Sequence, residues 1–125
     1  MARQAIAIIG LGRIGSAFLG GILRRNSKGI KLVCAAERND TPGKAAAAAA
    51  GVNLVTLDEV VALGDQVDVI FDLTGLPDVR HELREKLACA NNHHTVIASE
   101  SIARVIWALI NEDEMPEIPG RSIGY

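Results

Sequence analysis

Ala5-Ile6-Ala7-Ile8-Ile9-Gly10-Leu11-Gly12-Arg13-Ile14-Gly15 is the stretch that decides the fold. From Gln4 to Ile9 the run has no polar alternation after its first residue, which suits a central parallel strand covered on both faces. Gly10 closes it. From Arg13 to Asn26, Ile14, Ala17, Phe18, Gly21 and Ile22 recur at helical spacing, and Arg24-Arg25-Asn26 ends the segment with cations where a helix C-terminus favours them. A strand, a glycine-rich turn and a helix therefore follow one another without a spacer.

The same alternation continues along the chain. Ile30 to Ala36 reads as a second strand ending at Glu37. Thr41-Pro42-Gly43 then opens a helix over Lys44 and the alanines 45–50, with Thr41 able to cap it, Pro42 in the first turn and Gly51 as the stop. Val52 to Thr56 is a third strand candidate, and Leu57 to Leu63 a short helix stopped by Gly64. Val67 to Leu73 reads as a fourth strand with Asp68 and Asp72 near its two ends, followed by a helix from Pro77 to Asn92. Thr95 to Ala98 is the fifth strand, and Glu100 to Asn111 the last helix. Strands joined by helical crossovers imply an α/β fold: a single doubly wound domain of about five parallel strands with helices on both faces. The domain is expected over residues 1–111, and residues 112–125, with Pro116, Pro119, Gly120 and Gly124, read as a tail or linker.

Gly10-Leu11-Gly12-Arg13-Ile14-Gly15 matches G-x-G-x-x-G, and its position between the first strand and the first helix is the setting of a Rossmann dinucleotide site. There the first glycine allows a tight turn, the second lets the backbone approach a pyrophosphate, and the third lets helix and strand pack closely. Amides at the helix start, with the positive end of the macrodipole behind them, face the phosphates. Glu37 stands 22 residues after Gly15 at the second strand's end, where an acid accepts hydrogen bonds from the adenosine ribose hydroxyls. Its neighbour Arg38 could pair with a 2′-phosphate, so NAD and NADP both stay open as cofactors. Arg13 is a further cation within the loop, and Thr74 with Gly75, after the fourth strand, would line the crevice near the second ribose. The candidate cofactor-binding residues are thus Gly10, Leu11, Gly12, Arg13, Ile14, Gly15, Glu37, Arg38, Thr74 and Gly75. The alternatives are a glycine turn that only packs strand against helix, and a plain strand-to-helix turn at Thr74. Ser99, after the fifth strand, reads as a cap for the last helix.

Composition narrows the function classes. The chain has 125 residues, 49% hydrophobic and 22% charged, which is one domain's length and not a disordered composition. One Trp, one Tyr and two Phe supply no stacking platform, and 13 basic against 15 acidic residues supply no bulk attraction, so neither nucleic acid nor anionic membrane is an expected partner. No leader or bilayer-length apolar run is apparent, and a cytoplasmic address is expected. Cys34 and Cys89, 55 positions apart, suggest neither disulfide nor zinc site and read as small buried residues. His93 and His94 are adjacent and would point to opposite faces of a strand, and His81 with Glu85 reads as a surface pair, so no metal site is expected. Trp107 either seals the domain's core or anchors a second subunit.

The loop together with Ala35-Ala36-Glu37-Arg38 resembles the N-terminal NAD(P)-binding domain of dihydrodipicolinate reductase, as does Val69-Ile70-Phe71-Asp72-Leu73-Thr74. Homoserine dehydrogenase and glucose-fructose oxidoreductase relatives share the plan. That resemblance implies cofactor binding at Gly10, Gly12, Arg13, Gly15, Glu37 and Arg38. The stretch from Val96 to Trp107, with the strand before it and the turn at Thr41 to Gly43, is similar to the Rossmann-type input domain of some bacterial sensor histidine kinases. Those domains commonly carry an Asp-His pair where this chain has Ser99-Glu100, and this second resemblance implies a sensory role. The reductases have a second domain for substrate and proton donor, which these 125 residues do not reach. The expectation is a regulatory or sensory module that binds a nicotinamide dinucleotide without catalysis of its own, as a homodimer or attached to a larger chain. The alternatives are an NAD(P)-dependent oxidoreductase fragment or subunit, and an interaction module with a vestigial nucleotide site.

Overall fold

The computed structural model of the chain describes residues 3–25 and 27–110. The order is β1 (Gln4–Ile9), α1 (Arg13–Arg25), β2 (Ile30–Ala36), α2 (Pro42–Ala49), α3 (Leu57–Ala62), a short 3-10 turn at Gly64–Gln66, β3 (Val69–Asp72), α4 (Pro77–Cys89), β4 (Val96–Ala98) and α5 (Glu100–Ile110). The four strands form one parallel sheet in the order β2-β1-β3-β4. The chain leaves β1 toward β2 on one side and returns to β3 on the other, which makes the β1/β3 boundary the switch point where an open α/β sheet holds its ligand.

Burial explains why β1 lacks alternation. Ile6, Ala7, Ile8 and Ile9 are all buried; Ile6 and Ile8 belong to the core on one face, Ala7 and Ile9 to the core on the other. The first core takes Ile14, Phe18 and Leu19 of α1, Ala47 of α2, and Ala103 and Trp107 of α5. The second takes Val60 of α3 and Val79, Leu83 and Leu87 of α4. Phe18 and Phe71 join α1 to β3 with ring centroids 4.8 Å apart at a tilt of 48°, a pairing that contributes about 0.5–1.5 kcal/mol beyond its area. Trp107 is a core residue, lying against Gly21 of α1.

The expected third strand is a single bridge, Ala35 with Leu54, so the sheet has four strands and not five. Residues at both ends of Val52–Thr56 are used by the flanking helices: the Val52 N–H donates to the Ala47 carbonyl at the end of α2, and Thr56 caps α3 in a reciprocal capping box with Glu59. Only the middle of the segment remains to pair with β2. Cys34 is buried, and burial, with Glu59 adding, pushes its thiol up to about 11, so it stays protonated and unreactive. Cys89 corrects the other expectation: at the end of α4 it is exposed. The tail expected over residues 112–125 lies outside the described residues.

At the sheet's N-terminal edge Asp68 ties three segments together. Its Oδ2 accepts from the Ala5 N–H at 2.8 Å, and its Oδ1 lies 2.6 Å from His94 Nε2. The Ala5 amide first, then His94, holds the Asp68 carboxyl below its ordinary value of 3.8. The stabilisation is therefore complete above that value and disappears as pH falls through the lower folded value. Asp68→Asn should lower the urea midpoint at pH 7, and the gap to the parent chain should narrow below about pH 4.

Two glycines on α1 separate helix propensity from packing. A Cβ at Gly21 would stand 2.7 Å from Trp107 Cζ3, whereas one at Gly20 would meet only the flexible Arg24 Nη1 at 3.2 Å. Gly20→Ala should gain about 0.5–1 kcal/mol, and Gly21→Ala should cost about 1–3 kcal/mol, measured by denaturant unfolding.

Candidate functional site

Strand ends β1, β2 and β3 are level, because Ile9 pairs with both Ala36 and Asp72. The residues that follow them, Gly10, Glu37 and Leu73, therefore emerge together at the C-terminal edge of the sheet. They open onto a cavity of about 890 Å³, of a size that holds a dinucleotide. Its walls are the glycine loop, the β2 end with Arg38 and Asn39, Thr41 and Lys44 of the α2 start, residues 54–59, the loop after β3, and Val79 and Glu82 of α4.

The three glycines of the loop stand in three different surroundings. Gly10 has φ of +96°, and a Cβ there would stand 2.8 Å from the Thr74 N and 2.9 Å from the Leu73 C. Gly15 lies over the end of β1, where a Cβ would be 1.7 Å from the Gly10 carbonyl oxygen. At Gly12 an added Cβ would meet nothing within 4 Å. The turn and the crossing are closed by backbone, while the middle of the loop faces open space on the cavity side.

Glu37 reaches back to this loop. Its Oε1 accepts from the Leu11 N–H at 2.7 Å and its Oε2 from the Asn39 N–H at 3.0 Å. Arg38 projects outward, its guanidinium 3.7 Å from the Glu82 carboxylate across the cavity, an exposed pair of little energetic weight. Arg13, Arg38 and Lys44 are the cations on the cavity wall. Of the ten candidates from sequence, Gly10, Gly12, Arg13, Glu37, Arg38 and Thr74 line the cavity; Leu11, Ile14 and Gly15 are buried behind the loop, and Gly75, at φ of +69°, is not on its wall.

The loop after β3 is pinned by a buried charge. Asp72, 1% exposed, accepts on Oδ1 from the Thr74 N–H at 3.1 Å and the Thr74 hydroxyl at 2.7 Å, and on Oδ2 from Arg80 Nε at 2.8 Å. The Thr74 hydroxyl in turn accepts from the Leu76 N–H at 3.1 Å. In the sequence Asp72 stands out only as an acid at a strand end. Its partner Arg80 sits inside a helix whose other charges are mostly exposed, so nothing in the residue pattern distinguishes it. Thr41 was legible as a helix cap, but its position on the cavity wall depends on where α2 packs. His81 and Glu85 form the expected surface pair at 3.0 Å, and no group of three metal-ligating side chains occurs among the described residues.

Over residues 5–99 the sequence matches the family described as coenzyme F420-dependent NADP oxidoreductase. The chain belongs to that family. It is an NAD(P)-binding Rossmann domain, and solved structures repeat its fold. A homoserine dehydrogenase from Thiobacillus denitrificans is 28% identical, with a TM-score of 0.57 over 86% of this chain and 26% of that one. GenD2 from gentamicin A biosynthesis, in complex with NAD, is 19% identical, with a TM-score of 0.57 over 78% of this chain and 27% of its own. An apo scyllo-inositol dehydrogenase from Lactobacillus casei is 21% identical, with a TM-score of 0.55 over 86% of this chain and 34% of its own. The chain spans about a quarter to a third of these proteins' length. No curated protein sequence matches it. None of the helices among the described residues is long and apolar enough to cross a membrane.

Asp72→Ala leaves the buried Arg80 without its counter-charge and should cost about 3–5 kcal/mol in denaturant unfolding. Adding Arg80→Met should restore most of that loss, because the uncompensated charge is then gone.

Proposed function

We propose that this domain binds NAD or NADP with the pyrophosphate over the loop from Gly10 to Gly15, and that it serves as the cofactor-holding part of an oxidoreductase. The observation that carries this reading is the division of roles among the glycines, with backbone crowding Gly10 and Gly15 and open space before Gly12. The open position lies on the cavity wall, where the Gly12 backbone is free to approach a phosphate. Amides of the loop and of the first α1 turn, Gly12 and Ile14 among them, would take the phosphates, with Arg13 as the adjacent cation and Leu11 serving to hold the loop through its peptide groups. Glu37 would take the adenosine ribose hydroxyls and Arg38 a 2′-phosphate, while Thr74 would lie toward the second ribose and Gly75, off the wall, would serve only the turn that places it. When bound, the nicotinamide supplies or accepts the hydride; this chain's residues hold and orient the nucleotide. Family membership supports an oxidoreductase role, and the substrate site would then be furnished by chain or subunit outside the described residues.

A second reading, a regulatory or sensory nucleotide module, is favoured by one feature: the cavity wall includes the exposed Arg38 and the half-buried Glu82, which leave it open to water, whereas hydride transfer needs water excluded. Turnover separates the two when the domain is assayed together with the chain or subunit that would complete the substrate site, since the module would still bind cofactor without oxidising or reducing it when coenzyme F420 or aldehydes are added.

Calorimetric titration of the chain with NADP and with NAD should give saturable one-to-one binding of at least one of them; no saturable binding of either up to millimolar concentration overturns the proposal. Glu37→Ala should weaken both, because the Leu11 N–H loses its acceptor, and NAD more than NADP, because the ribose hydroxyls lose theirs as well. Equal losses would mean that Glu37 serves the loop alone.

A further inference from the structure

Leu11, the second residue of the glycine loop, is held through its peptide groups by three elements. Its N–H donates to Glu37 beyond β2, while its carbonyl accepts from the Thr41 hydroxyl at 2.8 Å and from the Ser16 hydroxyl of α1 at 3.1 Å. Thr41 also accepts from the Lys44 N–H at 3.0 Å, which is its capping duty. Capping occupies only an acceptor site of the hydroxyl and leaves its proton undirected. That proton goes to the loop. The backbone of α2 comes equally close: a Cβ at Gly43 would be 1.8 Å from Ser16 Oγ and 2.4 Å from the Leu11 carbonyl oxygen.

The geometry points to Thr41 and Gly43 as positioning residues of the dinucleotide loop. A peptide unit is planar and trans, so the carbonyl of Leu11 and the N–H of Gly12 point in opposite directions from one plate. Two hydroxyls on that carbonyl therefore fix the direction of the Gly12 N–H, which is turned away from the first turn of α2. Gly12 stands on the cavity wall with open space before it, where a phosphate would meet its amide. Gly43 lets α2 approach near enough for Thr41 to reach the loop. Thus the start of the second helix, which touches no part of the G-x-G-x-x-G signature in sequence, sets the aim of that signature's central amide. This inference rests on the dinucleotide reading above.

Three side-chain variants of the full chain, each labelled with nitrogen-15, test it. Thr41→Val removes both the donor and the cap, Thr41→Ser keeps both, and Ser16→Ala removes only the second donor and leaves the cap in place. Affinity for ADP is read by calorimetry and for adenosine, which has no phosphate, by chemical-shift titration. Thr41→Val should weaken ADP about 3- to 10-fold and leave adenosine unchanged, Thr41→Ser should restore ADP, and Ser16→Ala should follow Thr41→Val with a smaller loss. Equal losses for ADP and adenosine, an unchanged ADP affinity, or no recovery in Thr41→Ser would overturn the proposal. Should Thr41→Val fail to fold, Ser16→Ala carries the same comparison. If the parent chain binds no ADP, the dinucleotide reading is decided separately by the NAD and NADP titrations, and the positioning claim by the Gly12 amide resonance: displaced in Ser16→Ala it stands, unmoved it falls.

Discussion

The site is built around one crossing of backbone on backbone, where α1 begins over the end of β1. At Gly15 a single added carbon would lie 1.7 Å from the Gly10 carbonyl oxygen, so the helix can start there only if that residue has no side chain. This contact sets how far α1 sits from the sheet and therefore where its first-turn amides point. On its other side Gly10 lies against the backbone of Leu73 and Thr74, so the loops after β1 and β3 are in contact. The cavity wall inherits its shape from these contacts, and the buried Asp72–Arg80 pair holds the second loop in place behind it.

Much of this was legible from residues alone because the deciding signals are local. The apolar run of β1, the glycine spacing and the helical spacing of Ile14, Phe18 and Ile22 lie within one continuous stretch, and Glu37 ends a strand that the apolar pattern marks. The strand assigned to Val52–Thr56 failed for a reason that periodicity does not encode. Closure of α2 and capping of α3 take its end residues, and one bridge is left. The burial of Cys34 and the exposure of Cys89 follow in the same way from which element covers each, not from residue type.

What residues alone did not reveal is the cross-linking of the site. Thr41 and Pro42 announce a helix start, yet the direction of the Thr41 proton depends on Leu11, 30 positions earlier. Glu37 was legible as a ribose acceptor; that its carboxylate also holds the Leu11 N–H emerges only when β2 and the loop are set side by side. The acid expected to read the cofactor and the loop expected to hold its phosphates are one hydrogen-bonded unit, so a change at either should be felt at both. Family membership and the glycine geometry agree on the nucleotide, and the oxidoreductase proposal assigns the remaining chemistry to residues outside the described ones.

The most direct test of the central claim is a proton–nitrogen correlation spectrum of the 125-residue chain titrated with NADP. The account predicts that the largest amide shifts fall on residues 10–15, 37–44 and 73–76, at the C-terminal edge of the sheet. Shifts concentrated elsewhere, or a spectrum unchanged at millimolar NADP and equally at millimolar NAD, would contradict it.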